Sequence, residues 1–203
     1  MLFRSAWHLG RSGHITIMFF SAQAPHRRGR LSSAVRPRNQ APRFMSPDSK
    51  ALWNQFKAKN PDVDDARLYE VFCFGDSEAL ANELAALVLK GKKKATAGSV
   101  WALNAEKKAP PRAGDYSIVT SWAGEPQCII KTQSVDLVKF DEVDAEFAAA
   151  EGEGDGSLTF WREAHAAYFT RECSRLGLTF TEDMPVVCER FEVVLRWQGT
   201  NAA

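Results

Sequence analysis

Apolar residues recur along this chain with two different periods. From Glu78 to Lys90, Leu80, Leu84, Leu87 and Val88 fall at i, i+4, i+7 and i+8 with alanines filling much of the rest, a spacing that predicts an amphipathic helix. Gly91 stands where a left-handed residue ends such a helix, and Lys90 and Lys92 suit its negative pole. Leu52, Trp53 and Phe56 predict a shorter helix over 51–59, broken by Asn60-Pro61. Val100 to Ala105 and the alanine-rich stretch Asp141 to Ala150 read as further helices. A Gly-rich acidic loop, 152–156, leads to Ser157, which can cap a long helix from Leu158 to Leu176 where Trp161, His165 and Tyr168 share a face.

Elsewhere the period drops to two. Leu68 to Phe74 is apolar on both faces and suits a buried strand; Tyr116 to Trp122 and Cys128 to Val138 predict an antiparallel hairpin turning at Ala123-Gly124. Phe191, Val193, Leu195 and Trp197 alternate with charged residues in a last strand, 186–197. Strands placed first, in the middle and last, with helices between, do not make a parallel βαβαβ sheet in the usual register. The expected class is therefore α+β, with a small mixed or barrel-like sheet whose long middle strand pairs with both the hairpin partner and the C-terminal strand.

Charge divides the chain. Residues 1–44 hold eight arginines, no lysine and no acid; removing those eight from 26 basic residues leaves 18 against 25 acids, so residues 45–203 carry −7. An acidic domain argues against a broad electrostatic grip on duplex nucleic acid. The first 44 residues are expected to be a disordered basic extension. They read as an organelle transit peptide, as sequence upstream of a true start at Met45, or as a secretory leader or basic arm. The apolar run Ile15 to Phe20 is too short to span a bilayer. The protein is accordingly placed in the cytoplasm, or in mitochondria if the extension is a transit peptide, with no membrane partner. Cys73, Cys128, Cys173 and Cys188 are widely spaced and lack a C-x-x-C pair, so they read as reduced core thiols.

Four motifs then stand out. They are G-x-K-x-x-T (Gly91, Lys93, Thr96), A-x-x-E-G (Ala148 to Gly152), D-G-S-L-x-x-W-R-x-x-H-x-x-Y-F (Asp155 to Phe169) and C-E-R-F-E-V-V (Cys188 to Val194). Together they resemble the ASCH domain family over roughly Leu52 to Trp197. The resemblance implies a PUA-like mixed β-barrel with flanking helices and an association with RNA or modified bases. Small relatives in that family hydrolyse the acetyl amide of N4-acetylcytidine with a Lys, a Thr and a Glu; by resemblance these are Lys93, Thr96 and Glu151 here.

Those residue types can supply the chemistry. Thr96 offers a nucleophilic hydroxyl, a desolvated Lys93 could accept its proton, and Glu151 could orient Lys93 or act as the acid, with no cofactor and no metal ligand required. Gly91, Arg162, His165 and Tyr168 complete the candidate site as substrate-binding residues, Arg162 and His165 as a pair able to hold a phosphate. Blander roles compete: Lys92 to Lys94 as helix-end charge, Thr96 as an ordinary strand residue, His165 as a core histidine, and Tyr69, Trp101 and Trp122 as packing rather than base-stacking aromatics. Three functions follow: an amidohydrolase on a modified nucleoside, a PUA-like module that binds single-stranded or modified RNA without cleaving it, and a metal-dependent ribonuclease.

Overall fold

The computed structural model describes residues 45–199; the basic extension and every expectation attached to it lie outside the described residues. Helix α1 (Pro47–Lys59) starts earlier than its apolar stripe, because Ser46 accepts the Ser49 N–H at 3.1 Å and Pro47 opens the first turn. Strand β1 (Leu68–Phe72) leads to α2 (Glu78–Leu89), and β2 (Ala95–Ser99) runs directly into α3 (Val100–Ala105). Strands β3 (Tyr116–Thr120) and β4 (Pro126–Lys139) form the expected hairpin. Helices α4 (Ala145–Glu151) and α5 (Leu158–Arg175) follow, and β5 (Pro185–Arg196) closes the fold.

The helix expected over 141–150 is split. A 3₁₀ turn at Phe140–Glu142 comes first, and Asp144 then caps α4 by accepting the Phe147 N–H at 2.8 Å. Strand β2 carries little sequence signal, since Ala-Thr-Ala-Gly-Ser has one β-branched residue, Thr96, and no large apolar side chain. It exists because β5 supplies a full antiparallel ladder from Ala95↔Arg190 to Ser99↔Val186. Tertiary pairing overrides propensity there.

The five strands lie in the order β1-β3-β4-β5-β2, with β1 parallel to β3 and the other pairs antiparallel. The long β4 does pair with both β3 and β5. The barrel expectation needs correction: β1 and β2 are edges, each laddered on one side, so the sheet is open. Residues of both edges nevertheless line one narrow cleft of about 70 Å³, among them Tyr69, Phe72, Thr96 and Ser99.

One apolar cluster packs α1 against the sheet through Leu52, Trp53, Phe56, Tyr116, Ile118 and Ile129. A second holds α2 through Phe74, Leu84 and Val88, and a third holds α4 and α5 through Phe147, Trp161 and Phe169. All four cysteines are free; Cys128 and Cys188 are buried, and burial pushes both thiols up to about 12. Among the described residues no helix is long and apolar enough to cross a membrane.

Candidate functional site

The turn after α2 begins the site. Gly91, at φ +70°, donates to the Val88 carbonyl while Lys92 donates to Leu87, the paired bonds of a Schellman ending. This turn delivers Lys93 inward while leaving Lys92 and Lys94 exposed. The second motif is laced to it: Lys94 N–H donates to the Ala150 carbonyl at 2.8 Å, and Gly152 caps α4 at φ +64°. A Cβ at Gly152 would lie 2.6 Å from the Lys92 carbonyl oxygen, so only glycine permits this approach of the two backbones. In this way α4 brings its last residue, Glu151, beneath the loop that carries Lys93.

Lys93 and Glu151 are both 1% exposed and form a direct ion pair. The Lys93 ammonium also donates to Glu153 at 2.6 Å, and lies 5.3 Å from the Phe74 ring centre. The other Glu151 oxygen, Oε1, accepts the Trp161 indole N–H at 2.9 Å and lies 3.3 Å from His165 Nε2. Burial works against an ionised Glu151, but the Lys93 charge and then His165 outweigh it and hold the carboxyl well below the usual carboxylate range. Every buried charge here has a partner, as the low dielectric demands.

Above this cluster opens a cleft of about 120 Å³, lined by Thr96, Glu151, Glu153, His165 and Tyr168, with Phe74 and Phe160 as aromatic walls. It is far smaller than the ~300–1,000 Å³ of a drug-sized pocket, so it suits one ring-sized group. Thr96 lines this cleft and the one between the sheet edges. Tyr168 donates to Glu172, a lining residue of the edge cleft, at 3.2 Å.

Of the residues picked from the sequence, Thr96, Glu151, His165 and Tyr168 meet at the cleft. Lys93 sits behind it, reaching it through Glu151 and Glu153. Gly91 shapes the turn and has open space around it. Arg162 is not brought to the cleft: its guanidinium donates to the Asp141 carbonyl at 3.1 Å, so no phosphate-holding pair with His165 is assembled. Sequence reasoning missed Glu153, the Phe74 wall, Trp161 as a donor to Glu151, and Arg171, which stands on the rim in a two-point ion pair with Asp76 at 2.9 and 3.2 Å. Glu153 carried a usable signal, since it stands two residues after Glu151 on a loop that turns at Gly152.

An open five-stranded mixed sheet flanked by helices, with a buried Lys–Glu pair under a small cleft, defines an α+β protein of the PUA-like kind. The ASCH domain family model matches residues 70–195, and the chain belongs to that family. The ASCH domain from Lactobacillus crispatus JV V101 is 34% identical, with a TM-score of 0.69 over 77% of this chain and 100% of that one. A protein from Enterococcus faecalis V583 is 33% identical, with a TM-score of 0.68 over 76% of this chain and 94% of that one. No curated protein matches the chain. ASCH domains are a PUA-like fold associated with RNA binding.

Proposed function

We propose that the cleft receives the acylated base of a modified pyrimidine nucleoside, such as N4-acetylcytidine, and that the protein hydrolyses the exocyclic amide. The observation that supports this reading is convergence: the Thr96 hydroxyl and the carboxylates of Glu151 and Glu153 line one ring-sized cleft, and a single buried lysine orders both carboxylates. Phe74, Phe160 and Tyr168 offer flat apolar surface to a base. In this scheme Lys93 reacts as the neutral amine: the Thr96 oxygen bonds to the acyl carbon while the hydroxyl proton passes, by way of the carboxylates that hold Lys93, to its nitrogen. That proton goes to the amide nitrogen as the C–N bond breaks, and water then cleaves the acyl-threonine ester to release acetate.

The test is acetate release from N4-acetylcytidine. Thr96→Ala and Lys93→Ala should each lose roughly 10²-fold or more in kcat, the range general acid–base groups supply. Wild-type rates in both variants would sink the hydrolase.

A second reading is favoured by one feature: Lys93 is wholly buried and matched by carboxylates, which also suits an ion pair that only shapes a base-binding cleft. The protein would then hold a base of single-stranded or modified RNA without cleaving it, and its affinity would fall with added salt. Retention of N4-acetylcytidine RNA with no acetate release would select this reading. Among the described residues no group of three or more His, Cys, Asp or Glu is arranged to hold a metal ion, and no step here is routed through one.

A further inference from the structure

The W-R-x-x-H motif on α5 is left unused by a Lys–Thr–Glu scheme, yet Trp161 and His165 from it both contact Glu151 Oε1. His165 is 9% exposed, and its ring lies flat on Trp161 with centroids 4.2 Å apart and planes 16° from parallel. Its Nδ1 is 3.0 Å from the Trp161 carbonyl oxygen, which can only accept, so Nδ1 carries a hydrogen. Its Nε2 faces Glu151 Oε1 at 3.3 Å, an oxygen that already accepts the Trp161 indole N–H. A lone pair on Nε2 would point at a carboxylate oxygen. A hydrogen there makes the contact attractive instead.

We infer that His165 is held as an imidazolium with both N–H groups accepted, and that it acts as a positioning residue which sets the charge Lys93 experiences. The inference deepens the hydrolase reading and rests on it for its kinetic consequence. The groups facing Lys93 are Glu151 from α4, Glu153 from the following loop and the Phe74 ring after β1; those facing His165 are Glu151, the Trp161 carbonyl and, across its face, the Trp161 indole. With His165 charged, two cations balance two carboxylates. With His165 neutral, both carboxylates are left to Lys93 alone, and their combined field holds its proton against transfer to substrate. His165 lines the cleft, but its support for proton acceptance by Lys93 runs through Glu151.

Two measurements test this. Residues 45–203 contain a single histidine, because the other three fall at positions 8, 14 and 26, so its imidazole signals can be separated by comparing wild type with His165→Gln. Long-range ¹H–¹⁵N spectra at pH 7 should show both ring nitrogens of His165 protonated; a neutral ring with a bare Nε2 would overturn the inference. The second measurement is the pH profile of acetate release. His165→Gln should lower kcat at pH 7 by roughly tenfold with KM little changed, and shift the rising limb to higher pH so that activity recovers in alkali. An unshifted limb, whether at full activity or scaled down equally at every pH, would also overturn it. If wild type releases no acetate at any pH while His165 is doubly protonated, the hydrolase fails and the charge assignment stands.

Discussion

Two regions of the interior are equally dry and are built in opposite ways. Beneath α1, Leu52, Ile118 and Ile129 are fully buried among Trp53, Phe56 and Tyr116, a layer held mainly by area and shape, with one bond at its rim from the Trp53 indole N–H to Asp65 at 2.7 Å. Across the sheet, between the α2 turn, α4 and α5, Lys93 and Glu151 are buried to 1% and held by direction and charge. Apolar contacts tolerate a change of shape at moderate cost, whereas a buried ion pair gives little net stability over an apolar replacement and fails badly when halved. A fold that retains such a pair gains from its chemistry or its specificity, and the proposed hydrolase would draw on its chemistry.

The comparison can be broken by mutation. Lys93→Met or Glu151→Leu alone should each cost about 3 kcal/mol in urea unfolding, since each removes the direct partner of a buried charge while Glu153 or His165 remains. The double variant should recover much of that loss and remain inactive. Leu52→Ala should cost about 2–5 kcal/mol while leaving acetate release per folded molecule unchanged. Similar stability losses with opposite effects on activity would confirm the division between the two regions. A double variant no more stable than the singles would show that the polar cluster is also the stability centre of its side of the sheet.

Two glycines sharpen the same contrast at the backbone. Gly91→Ala meets nothing within 4 Å and should cost only its left-handed conformation, about 1 kcal/mol. Gly152→Ala adds a collision with the Lys92 carbonyl at 2.6 Å, so either the α4 end or the Lys93 loop must move. A loss of roughly 2–3 kcal/mol together with most activity is expected there, as both steric strain and the Lys93–Glu151 geometry are affected. Equal effects of the two substitutions would mean that the close approach is not limiting.

How much of this was legible follows the same line. Helices α2 and α5, the hairpin and β5 could be read because their burial is periodic along the chain. Strand β2 could not, because its reason for being a strand lies in β5, about ninety positions away in sequence. Nor could the opening of the sheet, which depends on where β1 and β2 end in space. Within the site, Thr96, Glu151 and His165 were reached through motifs, while Phe74, Trp161 and Arg171 resemble ordinary core or surface residues until their neighbours are known. Arg162 shows the converse: its position one turn before His165 on α5 suggested a pair, but its guanidinium turns to Asp141.

Acid should weaken the polar region. The folded Glu151 carboxyl lies below its ordinary 4.5, so its contribution to stability is complete above that pH and is lost as pH falls through the folded value. Relative to wild type, Glu151→Gln should therefore be less stable near neutrality, with the gap narrowing as the pH is lowered into the acid range. A gap that stays constant would mean that the pair contributes no pH-linked stability.

The smallest effects are expected immediately beside the largest. Lys92 and Lys94 flank Lys93 and are exposed, with no carboxylate among the described residues in a salt bridge to either. Alanine at either position should change stability by no more than about 0.5 kcal/mol. Acetate release should stay within about twofold of wild type, because neither ammonium faces the cleft and exposed charges are screened by salt. A tenfold loss in Lys92→Ala or Lys94→Ala, restored at low ionic strength, would instead mean that the lysine run attracts an anionic substrate as a unit. The hydrolase would then act on acetylated RNA rather than on the free nucleoside, because steering of that kind suits a polyanion and gives nothing to an uncharged nucleoside.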